Sequence, residues 1–122
     1  MKVFTNINEN IPKNCVASIG FFDGVHKGHL YLLNKLSEHA KEISCEDLII
    51  TLWPHPAVVF GKQVSLLNTL EEKTFVLEKA GVKNLLILPF NKEIAAMSNF
   101  DFAQTILHEK LSCSSLLMGY NN

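Results

Sequence analysis

The chain has 122 residues, 48% of them apolar, with 11 basic and 12 acidic side chains and a formal net charge of −1 at pH 7. That is one domain's worth of chain, long enough to bury a core. The near balance of charge argues against electrostatic binding to nucleic acid or to an anionic membrane, while leaving room for a small anion held by a few local donors.

No apolar run reaches the length that spans a bilayer, and the opening M-K-V-F-T-N-I-N-E-N lacks the apolar core of a secretion signal. Cys15, Cys45 and Cys113 are odd in number and form no C-x-x-C pair. They are expected as small apolar filler in a reducing, cytoplasmic setting rather than as a disulfide framework or a thiolate zinc site.

The first strand is expected over Val16 to Phe22, a nearly continuous apolar run of the kind that is covered on both faces. Behind it comes F-F-D-G-V-H-K-G-H, Phe21 to His29, and then a helical pattern from His29 to Ile43 with Leu30, Leu33, Leu36, Ala40 and Ile43 at three- and four-residue spacing. A second strand, Leu48 to Trp53, runs into W-P-H-P, where Pro54 and Pro56 restrict the backbone around His55. The next helix is signalled by T-L-E-E. Thr69 can cap it and Glu72 can close a capping box, and the helix passes through Phe75, Val76 and Lys79 to a stop at Gly81. A third strand follows at Leu85 to Phe90. A helix from about Asp101 to Leu111, begun by Ser98 or Asp101, carries Phe102, Ile106 and Leu107 on its apolar face. A last strand is expected at Leu116 to Tyr120. Met97, Phe100 and Phe102 read as packing residues, and His39 and His108 as surface residues of helices.

Strands alternating with helices imply right-handed crossovers onto a parallel sheet, hence an α/β, Rossmann-like three-layer sandwich. In such sheets ligands bind beyond the carboxyl ends of the strands, which is where Phe21 to His29 falls. A helix that starts near Gly28 presents the positive end of its dipole there. Gly24 and Gly28 permit tight turning, and His26 and His29 can aim two imidazoles at one anion. This equipment suits phosphoryl or nucleotidyl transfer better than hydrolysis, since no activated Ser or Cys and no carboxylate pair stands out. The phosphate loop G-x-x-x-x-G-K-[ST] and the G-x-G-x-x-G fingerprint are both absent. Two other readings of the same residues remain open at this point. Asp23, His26 and His29 could be three metal ligands with an open fourth position, or the segment could be a turn that happens to hold histidines.

Four blocks in order, S-I-G-F-F-D-G-V-H-K-G-H-L-Y-L-L, T-L-W-P-H-P-A-V-V-F, L-N-T-L-E-E-K and L-L-I-L-P-F-N-K-E-I-A-A-M-S-N-F-D-F, closely resemble the N-terminal module of the bacterial bifunctional riboflavin kinase/FMN adenylyltransferases, or FAD synthetases. The resemblance covers essentially the whole chain. It implies a nucleotidyltransferase of the H-x-G-H type that catalyses ATP + FMN → FAD + pyrophosphate with Mg²⁺. It casts His26 and His29 as the residues that hold the ATP phosphates and stabilise the transition state. Gly20, Phe21, Phe22, Asp23 and Gly28 would lie against the nucleotide, Pro54, His55 and Pro56 on the FMN side, and Asn121 at the Asp/Asn position of a G-x-[DN] motif. Lys27 reads either as a phosphate contact or as an exposed lysine. Trp53 reads first as a core or subunit contact and second as a stacking surface for flavin or adenine.

The sequence departs from that pattern at its end, L-L-M-G-Y-N-N. Asn122 stands where many members have His or Phe, and the family's later I-S-S-T-x-x-R block and riboflavin kinase module are absent. Residues 1–122 are therefore expected to be a partial FMN adenylyltransferase domain of a longer enzyme. Two rival functions stand beside this one. One is another H-x-G-H nucleotidyltransferase, acting on pantetheine phosphate, nicotinamide mononucleotide or, by cytidylyl transfer, a phospho-alcohol; the P-H-P and N-K-E-I-A-A-M-S blocks speak against it. The other is a catalytically incomplete nucleotide-binding fragment.

Overall fold

The computed structural model describes residues 1–20, 22, 27–53, 69–102, 104–106, 111, 113 and 115–116. Five strands lie in one sheet: β1 Lys2–Phe4, β2 Val16–Gly20, β3 Asp47–Trp53, β4 Asn84–Pro89 and β5 Ser115–Leu116. Their spatial order is β1-β4-β3-β2-β5, and every pairing is parallel. Val16 is in register with Asp47 on one side and Ser115 on the other, and Trp53 is in register with Pro89. Three of the four expected strands and the α/β class are present, and of the fourth, expected at Leu116 to Tyr120, only Leu116 falls within the described residues, in β5. The strand β1 was not anticipated, because three residues carry too little pattern to read.

Unbroken apolar runs form these strands because both faces of the sheet are covered. Along each strand, neighbouring residues divide between two core clusters. One holds Ala17, Leu48, Ile50, Leu86 and Leu88 with Ile11, Ile106 and Leu111. The other holds Val16, Ile49 and Leu85 with Leu33, Leu36, Ala40 and Leu77. Strand alternation thus sorts odd from even positions into two layers.

The helix α1, Lys27–Glu42, and the helix α2, Leu70–Lys79, cover the second face. On α1, Leu33, Leu36 and Ala40 are buried as expected, whereas Leu30 and Ile43 are exposed. At 100° per residue Leu30 is rotated roughly 120° from Leu36, and Ile43 falls beyond the last helical turn. Cys45 N–H donates to Ala40 O at 2.8 Å and Ser44 N–H to Lys41 O at 3.2 Å, closing the helix with Ser44 at φ 55°. The helix α2 opens with the expected capping box: Thr69 Oγ1 accepts from Glu72 N–H, and Glu72 Oε1 accepts from Thr69 N–H, both at 3.1 Å. It ends the same way as α1, with Val82 N–H on Leu77 O, Gly81 N–H on Glu78 O and Gly81 at φ 94°.

Between β4 and β5 a short helix that was not anticipated, α3, Lys92–Ala96, precedes α4, Asn99–Phe102, which opens the expected helix, and residues 104–106 within that helix's range are π-helical. Two local caps account for this. Asn91 Oδ1 accepts from Ile94 N–H at 2.8 Å, and Ser98 Oγ accepts from Asp101 N–H at 3.0 Å. Ser98, not Asp101, is therefore the starting residue. Ile106 is buried and Phe102 packs against the same cluster, but Phe100 is 72% exposed, correcting its assignment as a packing residue. Residues 103, 107–110 and 117–122, which hold Leu107, His108 and most of the last expected strand, lie outside the described residues. Among the described residues no helix is long and apolar enough to cross a membrane.

Candidate active site

The strand order fixes where a ligand can sit. From β2 the chain runs through α1 to β3 and then β4 on one side, whereas β5 returns to the opposite side of β2. The elements on either route cover opposite faces, α1 and α2 one, and the segment holding Phe102, Ile106 and Leu111 the other. The order therefore reverses between β2 and β5, and a crevice opens at their carboxyl ends, the place where open α/β sheets bind ligands.

Three described residues of the expected site stand at that edge, and a fourth lies against them. Gly20 ends β2 opposite Thr51 and is buried. Gly28 and His29 lie in the first turn of α1. Phe22, 2% exposed, belongs to the cluster of Val16, Leu33 and Leu36, so it is at once core and site wall. Its φ of 51° is a left-handed backbone that costs an L-residue roughly 1–2 kcal/mol, a cost that burial of the phenyl ring offsets. The chain thus turns out of β2 instead of extending it to Phe22 as expected from the apolar run.

The phenyl ring of Phe22 meets the His29 imidazole with centroids 5.3 Å apart and planes tilted by 52°. His29 is half-buried. Seven residues before Leu36, it falls within roughly 20° of the helix stripe that faces the core. The contact fixes one side of the imidazole next to the helix N-terminus. No acidic side chain stands in the first turn of α1, so its positive dipole end is not neutralised by its own sequence and suits an incoming anion. Phe21, Asp23, His26, Pro54, His55, Pro56 and Asn121 lie outside the described residues, as does the side chain of Lys27. The metal-ligand alternative, which needs Asp23 and His26, lies there too.

A neighbouring feature was missed in the sequence. Trp53 ends β3, and its carbonyl accepts from Phe90 N–H at 2.8 Å. The Lys73 ammonium sits 5.3 Å from the centre of its ring, and Lys73 is 2% exposed. The available signal was positional. Leu70, Lys73, Leu77 and Ala80 recur at helical spacing, so this lysine falls on the apolar stripe of α2. Ser18 is also buried on the face of Val16, and its hydroxyl has no hydrogen-bond partner among the described residues.

Over 116 residues the chain is 31% identical to the bifunctional riboflavin kinase/FMN adenylyltransferase of Escherichia coli (strain K12), covering 93% of this chain and 37% of that protein. Over 99 residues it is 32% identical to the protein of the same description from Bacillus subtilis (strain 168), covering 79% of this chain and 31% of that one. The chain thus spans about a third of the length of these relatives. A solved structure described as a macrolide-efflux protein from Streptococcus pneumoniae superposes with a TM-score of 0.82 over 98% of this chain and 41% of its own, at 20% identity, which speaks to the fold alone. The family model for FAD synthetase matches residues 8–122, and the chain belongs to that family.

Proposed function

We propose that this chain carries the adenylyl-transfer site of an FAD synthetase, joining FMN to the AMP moiety of ATP. The observation that carries the reading is the placement of His29, held against Phe22 in the first turn of α1 at the carboxyl end of β2. ATP enters as its Mg²⁺ complex. An FMN phosphate oxygen attacks the α-phosphorus, a new P–O bond forms, the bond from the α-phosphorus to the bridging oxygen breaks, and pyrophosphate leaves. The attacking phosphate has a second ionisation near pH ~6 and is largely dianionic at neutral pH, so it needs no general base. What the reaction needs is in-line positioning and donors aimed at the accumulating negative charge. The N-terminus of α1 and His29 are suited to that, with His26 beside them in sequence.

In this reading Gly20, Phe21, Phe22, Asp23 and Gly28 line the nucleotide, and Pro54, His55, Pro56 and Asn121 face FMN. The full-length protein also phosphorylates riboflavin, as the description of the relatives implies, and works in the cytoplasm. The test is chromatographic detection of FAD after the full-length protein is incubated with ATP, FMN and Mg²⁺, beside a His29→Ala variant. The wild type is expected to form FAD, and the variant to lose about 10²- to 10³-fold in kcat with its fold retained. Near-normal turnover by the variant would remove His29 from the mechanism. Turnover of pantetheine phosphate or nicotinamide mononucleotide, or use of CTP, in place of FMN and ATP would redirect the assignment to another nucleotidyltransferase.

A further inference from the structure

We propose that the exposed part of the Trp53 indole is a stacking platform for the planar heteroaromatic ring of one substrate, flavin or adenine, and that Lys73 is the positioning residue that holds it. The inference rests on the adenylyl-transfer reading for the identity of its ligands.

Observations on Trp53 and on Lys73 carry it. Trp53 is the last residue of β3, at the carboxyl edge of the sheet and one strand from β2, whose end leads to Phe22 and His29. It lies in alternation with Ile49, on the face covered by α1 and α2, so the indole and the His29 imidazole belong to the same side of that edge. Its backbone is pinned by register with Pro89 and by the bond from Phe90 N–H, while the side chain is only half-buried. An aromatic ring at a ligand-binding edge that remains partly open is unfinished as a core contact.

Lys73 supplies the rest of the argument. It is the only buried Lys, Arg or His among the described residues, and it sits on the apolar stripe of α2 where Met or Leu would fill the same volume. A buried ammonium is disfavoured unless partners compensate it, and the indole ring, 5.3 Å from Nζ, is one of its partners. A cation held inside the protein 5.3 Å from the ring centroid is drawn to the face of that ring, a directional attraction that an aliphatic side chain in the same place does not supply. Fixing the ring in advance removes an ordering cost from ligand binding. Stacking of a base on an aromatic side chain is sequence-tolerant and amounts to about a 5- to 100-fold effect on affinity when the aromatic is removed.

Trp53 is the sole tryptophan of these 122 residues, and its share of the emission is the difference between the wild type and Trp53→Leu. The experiment uses the full-length protein and the variants Lys73→Met, Lys73→Arg, Trp53→Leu and the Lys73→Met/Trp53→Leu pair. Affinities for FMN and for ATP are measured separately by calorimetry, and the emission of Trp53 is recorded without ligand. The expected result is a 5- to 100-fold weakening by Lys73→Met toward one of the two ligands, with the other within two-fold. Lys73→Arg should restore most of it, emission should shift in Lys73→Met, and the double variant should bind no worse than Trp53→Leu alone. The ligand that weakens identifies the stacked ring.

A Lys73→Met variant with both affinities intact overturns the proposal. So does one that loses both equally along with thermal stability, or a double variant whose losses add. A wild-type protein that binds neither FMN nor ATP overturns the adenylyl-transfer reading itself and this inference with it, a failure recognisable because it precedes any comparison of variants.

Discussion

Asp47 opens β3 at the edge of the sheet opposite the candidate site. It is buried, and its Oδ1 has no hydrogen-bond partner among the described residues. Burial raises its pKa above the ordinary 3.8, opposed by the nearby backbone N–H groups of Asp47 and Lys83 and by the Lys83 charge, with Glu46 adding a smaller upward push. The folded chain therefore holds this proton more tightly than the unfolded chain. The stability so gained is fully present below about pH 3.8 and is lost as pH rises through the raised value. Asp47→Asn removes the buried charge and is expected to raise Tm at pH 7, with the gain closing as pH falls below 3.8. A gain of equal size at both pH values would show that charge is not the cause. At the same edge, burial pushes the Cys15 thiol up to about 12, with smaller contributions from Cys113, Glu46, Cys45 and Asp47, and burial pushes Cys113 up to about 11. Both are protonated at neutral pH, in keeping with the filler role read from the sequence. The burial of Asp47 was not legible there, since C-E-D before an apolar run looks like the end of a polar loop.

Among the helices, signals carried by two or three nearby residues were legible and those imposed by the rest of the fold were not. T-L-E-E announced the start of α2, and Gly81 its end, because both depend on hydrogen bonds within one turn. Ser44 ends α1 in the same left-handed conformation without being glycine, and the reason lies in where the chain must go next, into β3. Two substitutions test this pair of caps in urea. Ser44→Gly relieves a left-handed side chain and is expected to stabilise by about 1 kcal/mol. Thr69→Ala removes the acceptor of Glu72 N–H and is expected to cost about 1 kcal/mol. Both should shift the midpoint at constant m-value. A destabilised Ser44→Gly would mean that the Ser44 side chain supplies more than the backbone strain it causes. Lys73 teaches the same lesson about the interior of a helix. Its place on the apolar stripe was readable, but its partner on β3 was not, since nothing in the sequence joins positions 53 and 73.

At the scale of the molecule, the α/β class and the parallel sheet followed from the alternation of apolar runs, whereas the strand order did not. The pairing of β1 with β4 joins Lys2 to Asn84 through a three-residue strand, a contact that only tertiary structure can create. The edge location of the candidate site was legible from the position of Phe21 to His29 after a buried strand. The wall made by Phe22 was not, because an apolar run gives no sign of where a strand lets go. The sheet order predicts an order of opening. The β3 amides of Ile49 and Ile50 lie at the centre, fully buried, while Val3 lies on the outermost strand and is exposed. Hydrogen exchange under native conditions is expected to release Val3 first and the β3 amides only with global unfolding. Equal protection of Val3 and Ile50 would mean that something covers the β1 edge.

Phe22 belongs to two structures at once, the layer beneath α1 and the wall behind His29. Around Trp53, where the side chain is half-buried and the backbone is held by β4, substitutions can accumulate in small steps. At Phe22 no such gradual path exists. A smaller side chain would leave a hollow under Leu33 and Leu36, and a larger one would displace the imidazole, so inheritance can vary one side of this cleft while the other is locked to the survival of the fold.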